Sequence, residues 1–300
     1  MTNILKANRL IQLTIFSVIV RLVYLIILNF FVRPNFPIYP GLEGGNLFSV
    51  DVPEWYSRYS LSQYGLIPYR DYECSFPPLG VTYILFLCYL SNWNFYNFVY
   101  VFVPLFNFGF GTLLCVLIYK TVLMMWKNEN LAFYLSLLYT ISPIVVYAEA
   151  QHHDHIAMLF SVLSLYFFLN KKLNLSAICL GCGIMLKYFP VFLLPLFIKY
   201  LYDNKSKSYE ILQYPIFTLL VCLFAYLPYF ILSPEGVLYS YVLLTRGGAV
   251  LVETKLPISG ASPWVALLKL GVPSILLIFM PFLVQLGLDL FLAIQKNNSQ

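Results

Sequence analysis

The chain has 300 residues, 60% hydrophobic and 10% charged, where a soluble domain carries about a quarter charged, and its mean hydropathy is +0.78. This balance excludes a soluble globular protein. The net charge of +5 is ordinary for a membrane protein with cytoplasmic Lys and Arg, and it points to no nucleic-acid partner.

A hydrocarbon core of ~30 Å needs about 20 apolar residues per spanning helix, and lipid-facing irregular backbone is excluded at that depth. Apolar runs lie at Leu10–Val32, Pro78–Leu90, Phe95–Val122, Leu131–Tyr147, Ile156–Leu169, Leu175–Leu201, Ile211–Leu232 and Pro263–Ala293. The expectation is therefore an all-α polytopic bundle of about eight transmembrane helices, forming one domain over residues 1–300 without repeats. Lys6 and Arg9 precede a run too long for a cleaved signal, so it reads as a signal anchor. The six cysteines lie mostly inside apolar runs and make no disulfide framework. Cys179 and Cys182 form a CxxC that reads as a small-residue helix face rather than a redox or metal pair.

Lys6 and Arg9 put the N-terminus inside, and Lys199, Lys205 and Lys207 mark another inside loop. Eight simple crossings satisfy both. They place the loops over residues 33–77 and 233–262 outside, but also Lys171 and Lys172 outside and His152 to His155 inside, against the positive-inside rule. A short or re-entrant element near residues 78–95, balanced by a break near Lys187, reverses only the middle.

The first external loop gathers Asp51, Glu54, Asp71 and Glu73 between two apolar runs. With Pro53 behind it and Glu54 three residues on, Asp51 suits the start of a short helix carrying Trp55, Tyr56 and Tyr59 along the membrane interface. A carboxylate fixed there is also well positioned for chemistry. Farther along, IPYRDYECSFPPLG closes on Pro77 and Pro78, where proline is tolerated as a helix opens. Asp71 and Glu73 suit an acceptor, a sugar hydroxyl or a divalent ion, although an acidic pair alone is weak ground for metal.

Arg21 and Lys187 sit inside apolar runs, where charge is costly and faces the bundle interior or a wet cavity. Each has a helix carbonyl or Asp154 as a partner. In AEAQHHDHI, His153 and Asp154 fall among three histidines, a substrate contact or an interfacial polar loop. Zinc needs three or four ligands, and the rest are missing. The late loop TRGGAVLVETKLP offers Arg246 and Lys255, with Gly247 and Gly248 allowing close backbone approach. An arginine suits bidentate contact with phosphate; a solvated loop is the plainer reading.

Taken in order, the acidic loop, PYRDYECSFPPL, AEAQHHDHI, MLKYFPVFLLP, LPYF and TRGG resemble the GT-C superfamily of polyprenyl-phosphate-sugar-dependent glycosyltransferases. Residues 10–265 are covered. The set is similar to the α-glucosyltransferases of N-glycan assembly in the endoplasmic reticulum (ER), to the catalytic subunit of the GPI mannosyltransferase, and to prokaryotic polyprenyl-phosphate-mannose mannosyltransferases. The resemblance implies a GT-C-like bundle with short interfacial helices in the first external loop. It also implies inverting transfer of mannose or glucose from a polyprenyl- or dolichyl-phosphate donor to a lipid-linked or glycan acceptor. Asp51 matches the aspartate that acts as base in that loop; Glu54, Asp71, Glu73, His153, Asp154, Lys187, Arg246 and Lys255 are the expected substrate contacts, with no metal or other cofactor required. Three departures stand out. The acids are spaced Asp51-Val-Pro-Glu54 rather than Asp-x-Glu, Phe76 replaces a tyrosine, and the histidine segment lacks the family's FQYN. The chain also ends soon after the eighth run, so the acceptor-binding half is expected to be absent or supplied by a partner subunit.

Two further classes fit the composition. A transporter would carry mid-membrane charges in repeated segments, and only Arg21 and Lys187 answer to that. A non-catalytic subunit of a glycan-assembly complex would need no poised acid. In every case the protein is expected among membrane lipids as a multi-pass protein, in a prokaryotic plasma membrane or the ER.

Overall fold

The structure, a computed structural model, describes residues 2–32, 51–74 and 76–239, and of residues 2–8, 31–32, 51 and 151 the backbone alone. Two compact units divide the chain, Met1–Pro234 and Glu235–Gln300, and of the second only residues 235–239 are described. The described residues are helical, without a named strand. In order they form α1 (Thr2–Ile27, continued by a π-helical turn, Leu28–Val32), α2 (Asp51–Tyr59), α3 (Pro78–Leu90) and α4 (Phe95–Trp126, with a π-helical turn at Phe98–Phe102). There follow α5 (Glu129–Ile141), α6 (Pro143–Gln151), α7 (Asp154–Leu169), α8 (Leu173–Leu186), α9 (Leu193–Asp203) and α10 (Ser208–Leu232).

Arg9–Phe30, Phe95–Trp126 and Ser208–Leu232 are each long and apolar enough to cross a membrane, and α5 with α6 makes a fourth span if the bent pair is taken together. This agrees with a multi-pass membrane protein. The expected count of eight is not reached among the described residues: α3, α7 and α8 have 13, 16 and 14 residues, short of the ~20 a straight span needs. The eighth run, Pro263–Ala293, lies outside the described residues.

Two runs that look continuous in sequence are broken for local reasons. Leu131–Tyr147 bends by 57° at Ser142, whose Oγ caps α6 by accepting from the Val145 N–H at 3.5 Å, with Pro143 supplying the first helical residue. Leu175–Leu201 breaks at Lys187, whose extended backbone ends α8 ahead of Pro190.

The ends of these helices sort by charge. Arg9 donates to Asn130 at 2.7 Å, which joins the start of α1 to the α4–α5 turn. α7 runs the same way as α4, with Ile156 near Phe110 and Leu159 near Leu114 and Leu117. Phe168 stacks on Phe197 at 4.4 Å and meets Tyr214 at 5.7 Å, so α9 and the start of α10 reach this end too. Here lie Arg9, Lys127, Lys171, Lys172, Lys199, Lys205 and Lys207. At the opposite end Trp55 meets His153, Tyr69 meets Tyr229, and the Tyr188 and Tyr226 hydroxyls are 2.7 Å apart. Both ends of the α3 segment touch α2: Phe76 packs on Trp55, and the Tyr56 hydroxyl donates to the Trp93 carbonyl. The segment thus returns the chain to the end it left. With the break at Lys187, this path has the short element near residues 78–95 that the second of the two topologies read from the sequence calls for.

A buried polar assembly ties the bundle together. Arg21, 2% exposed, donates from Nε and Nη2 to Glu149 at 2.9 and 2.7 Å. Its third nitrogen donates to Ser17 Oγ at 2.5 Å, and the Tyr139 hydroxyl donates to Glu149 at 2.6 Å. Asn107 donates to the carbonyls of Glu149 and His152 at 2.8 and 3.2 Å, and the Tyr83 hydroxyl donates to Asn107. The carboxylate fits only because position 111 has no side chain: a Cβ there would stand 2.3 Å from it.

Gly111→Ala should therefore destabilise the protein by about 3 kcal/mol or more, since it displaces one member of a buried ion pair. Gly109→Ala, whose Cβ meets nothing within 4 Å, should change stability by less than about 1 kcal/mol, toward more stable; thermal unfolding in detergent reads both. On topology, an impermeant thiol reagent added to one side of sealed vesicles should label Lys171→Cys and Lys205→Cys together, and Glu73→Cys only from the other side. Labelling of Lys171→Cys with Glu73→Cys would restore the eight simple crossings.

Candidate functional site

The acidic end collects its polar groups where helices stop and start. Asp154 is the first residue of α7 and Lys187 comes directly after the last residue of α8. An anion at a helix N-terminus and a cation at a C-terminus each meet a favourable helix dipole. Their side chains form an ion pair, and both stay partly open to solvent, at 33% for Lys187 and 44% for Asp154. The Lys187 ammonium also lies 6.0 Å over the Phe76 ring.

Beside the pair, His153 is fully buried. Trp55 packs edge-on against it at 4.8 Å and Phe76 at 4.7 Å. Neither ring nitrogen makes a hydrogen bond among the described residues. Burial, and after it the Lys187 ammonium, holds the imidazole well below its ordinary range, outweighing Asp154 and the Leu186 carbonyl, which favour the proton. The ring is thus a neutral donor and acceptor behind an aromatic cap. The cap is held by the loop before α3: the Tyr69 hydroxyl donates to the Phe76 carbonyl, and the Tyr69 ring packs on Tyr229 at 4.8 Å. Gly80 lets α3 start against α8, because a Cβ there would meet the Leu186 carbonyl at 2.7 Å.

The expected site residues divide by place. His153, Asp154 and Lys187 come together. Asp51 opens α2 one turn before Trp55; its side chain lies outside the described part, as do Arg246 and Lys255 entirely. Glu54 turns away: Val52, Trp55 and Tyr59 form the buried face of α2, while Glu54 is exposed and pairs with Arg58 at 2.8 Å. Asp71 closes its own loop, accepting from the Ile67 N–H at 2.7 Å and pairing with Arg70. The Arg70 guanidinium, and then that N–H, lower its pKa. Glu73 is exposed. Among the described residues no group of three or more His, Cys, Asp or Glu is placed to hold a metal, and the six cysteines are free.

Sequence reasoning did not find the role of Glu149, although it stands within AEAQHHDHI. The signal was available, because a charge as deep as Arg21 calls for an opposite one. The aromatic cap had no such signal, since Trp55 and Phe76 meet His153 only through the fold. Compared with known protein families, with curated proteins and with solved structures, the chain matches none.

A histidine kept neutral by folding makes stability pH-dependent. Below the ordinary imidazole pKa of about 6.5 the unfolded chain takes up a proton that buried His153 does not, so stability falls as pH drops, by up to about 1.4 kcal/mol per unit. Unfolding monitored from pH 7.5 to 5 should show this slope, and His153→Phe, which fits the aromatic surroundings, should reduce it without abolishing it, because burial also pushes the pKa of His155 down. An unchanged slope would place the titration elsewhere.

Proposed function

We propose that the chain is a membrane glycosyltransferase of the GT-C type. It moves a hexose, mannose or glucose, from a polyprenyl-phosphate donor to a lipid-linked or glycan acceptor on the extracytoplasmic face. The observation that carries this reading is the half-open Asp154–Lys187 pair beside buried His153, at the same end of the bundle as α2, which Asp51 opens. A greasy bundle with a half-open ion pair beside an aromatic-capped histidine suits a substrate that is part lipid and part charged sugar phosphate.

In this reading Asp51 accepts the proton of the acceptor hydroxyl as that oxygen attacks the sugar C1. The bond from C1 to the phosphate oxygen breaks on the opposite side, its electron pair leaves with the phosphate, and the configuration inverts. An anionic leaving group needs charge stabilisation more than a proton. Lys187 is the described cation beside the cluster and fills that role; Arg246 and Lys255, in the second external loop, are the other cations assigned to the donor. Asp154 holds a sugar hydroxyl, while His153, buried behind Trp55 and Phe76, backs the ion pair and is not the substrate contact read from the sequence. Glu54, Asp71 and Glu73, exposed on the loop, contact the acceptor.

The test is a donor screen of the purified protein in lipid, with polyprenyl-phosphate mannose and polyprenyl-phosphate glucose. Asp51→Asn should lower transfer by about 10²–10⁴-fold with expression and unfolding temperature unchanged, and Lys187→Gln should lower it as well. Transfer retained in Asp51→Asn but lost in Glu54→Gln or Glu73→Gln would move the base. Absence of transfer from either donor would remove the enzymatic reading, and activity surviving a chelator would exclude a required divalent ion.

A further inference from the structure

The basic end of the bundle holds a recess of its own. It lies where α7 ends and α8 and α10 begin, encloses about 400 Å³, and is lined by Lys171, Lys172, Asn174, Glu210 and Gln213 among others. The two lysines sit on a closed turn, their backbone N–H groups donating to Phe168 and Phe167 at 2.9 Å. Neither forms a salt bridge among the described residues. Glu210, the acid of the recess, is occupied: its carboxylate accepts from the Lys207 backbone N–H at 3.3 Å and caps α10. With two lysines against one carboxylate, the recess keeps a net positive charge.

An exposed apolar stripe runs along α10, the helix whose first turns line one side of the recess. Leu212, Ile216, Leu219 and Leu223 recur at spacings of four, three and four along α10, one face of the helix, and they are 64%, 45%, 58% and 55% exposed. A headgroup-sized hollow with two free ammonium groups at one end of a greasy stripe matches a molecule with an anionic head and long apolar tails.

We propose that this recess binds the headgroup of an anionic membrane phospholipid. Its phosphate lies against Lys171 and Lys172, and one acyl chain lies along α10. Basic pockets between membrane helices on the cytoplasmic side are suited to such headgroups, each lysine contributing about five-fold in affinity. The assignment is independent of the transfer reaction and stands if that reading falls.

The full chain, purified and stripped of lipid, would be titrated with phosphatidylglycerol and with phosphatidylcholine and read by native mass spectrometry. Phosphatidylglycerol should bind preferentially. The double variant Lys171→Gln/Lys172→Gln should bind it about 25-fold more weakly, while Lys127→Gln, at the same end but outside the recess, should change it by less than about two-fold. These are surface substitutions, and an unchanged unfolding temperature verifies the fold. Equal binding of the two lipids, or a double variant that binds as the natural chain does, overturns the proposal. Displacement of phosphatidylglycerol by millimolar inorganic phosphate alone would assign the recess to free phosphate and overturn the lipid assignment.

Discussion

A guanidinium and a carboxylate removed from water inside an apolar bundle are the constraint on which the rest of this structure depends. Desolvating two ions costs several kcal/mol each, and the pair is tolerable only with complete geometry. Here the geometry is complete: Arg21 meets Glu149 through two nitrogens, Ser17 takes the third, and Tyr139 adds a donor to the carboxylate. The arrangement links α1, α5 and α6. Asn107 extends it from α4 to the His152 carbonyl, one residue before the buried imidazole. The position of the His153 end is thus set from deep within the bundle.

Much of the fold is legible in the sequence because proline and charge leave strong local marks. Pro78–Leu90 is bounded to the residue, since Pro77 and Pro78 end a polar loop and an apolar run begins at once. Leu131–Tyr147 looks like one span because the Ser142–Pro143 break interrupts winding and not hydropathy. Lys187 with Asp154 is among the pairings the sequence allows, and Arg21 does reach a helix carbonyl, that of Ser17 at 3.3 Å, but its carboxylate partner is Glu149 and not Asp154. Glu54, grouped with Asp51 by spacing, faces away from the bundle, since the winding of α2 turns Val52, Trp55 and Tyr59 to the protein. Spacing along a chain tells which side chains share a helix face, but not which face the tertiary structure buries.

The division of charge has a consistent logic. Lysines outnumber acids where helices end toward one side, which also holds Glu129, Asp203 and Glu210, and acids outnumber cations on the other, where the loop opened by Asp51 meets the α6–α7 turn. The two ends also differ in how they treat polar groups. At the acidic end a histidine is sealed behind rings, and an ion pair is left half open. At the basic end the lysines of the recess are exposed and unpaired, and the carboxylate beside them is used to finish a helix.

The π-helical turns at Leu28–Val32 and Phe98–Phe102 face one another, and the Asn29 amide donates across the gap to the Tyr100 carbonyl at 3.0 Å. A wide turn holds one residue more than regular winding. Because the extra residue is absorbed inside the turn, excising it from α1 would tighten the turn to regular winding, keep the rest of the helix in phase and withdraw the Asn29 amide from the Tyr100 carbonyl. The seam between the two helices is thereby encoded in the count of residues inside α1, where a single-codon deletion would be felt in its neighbour.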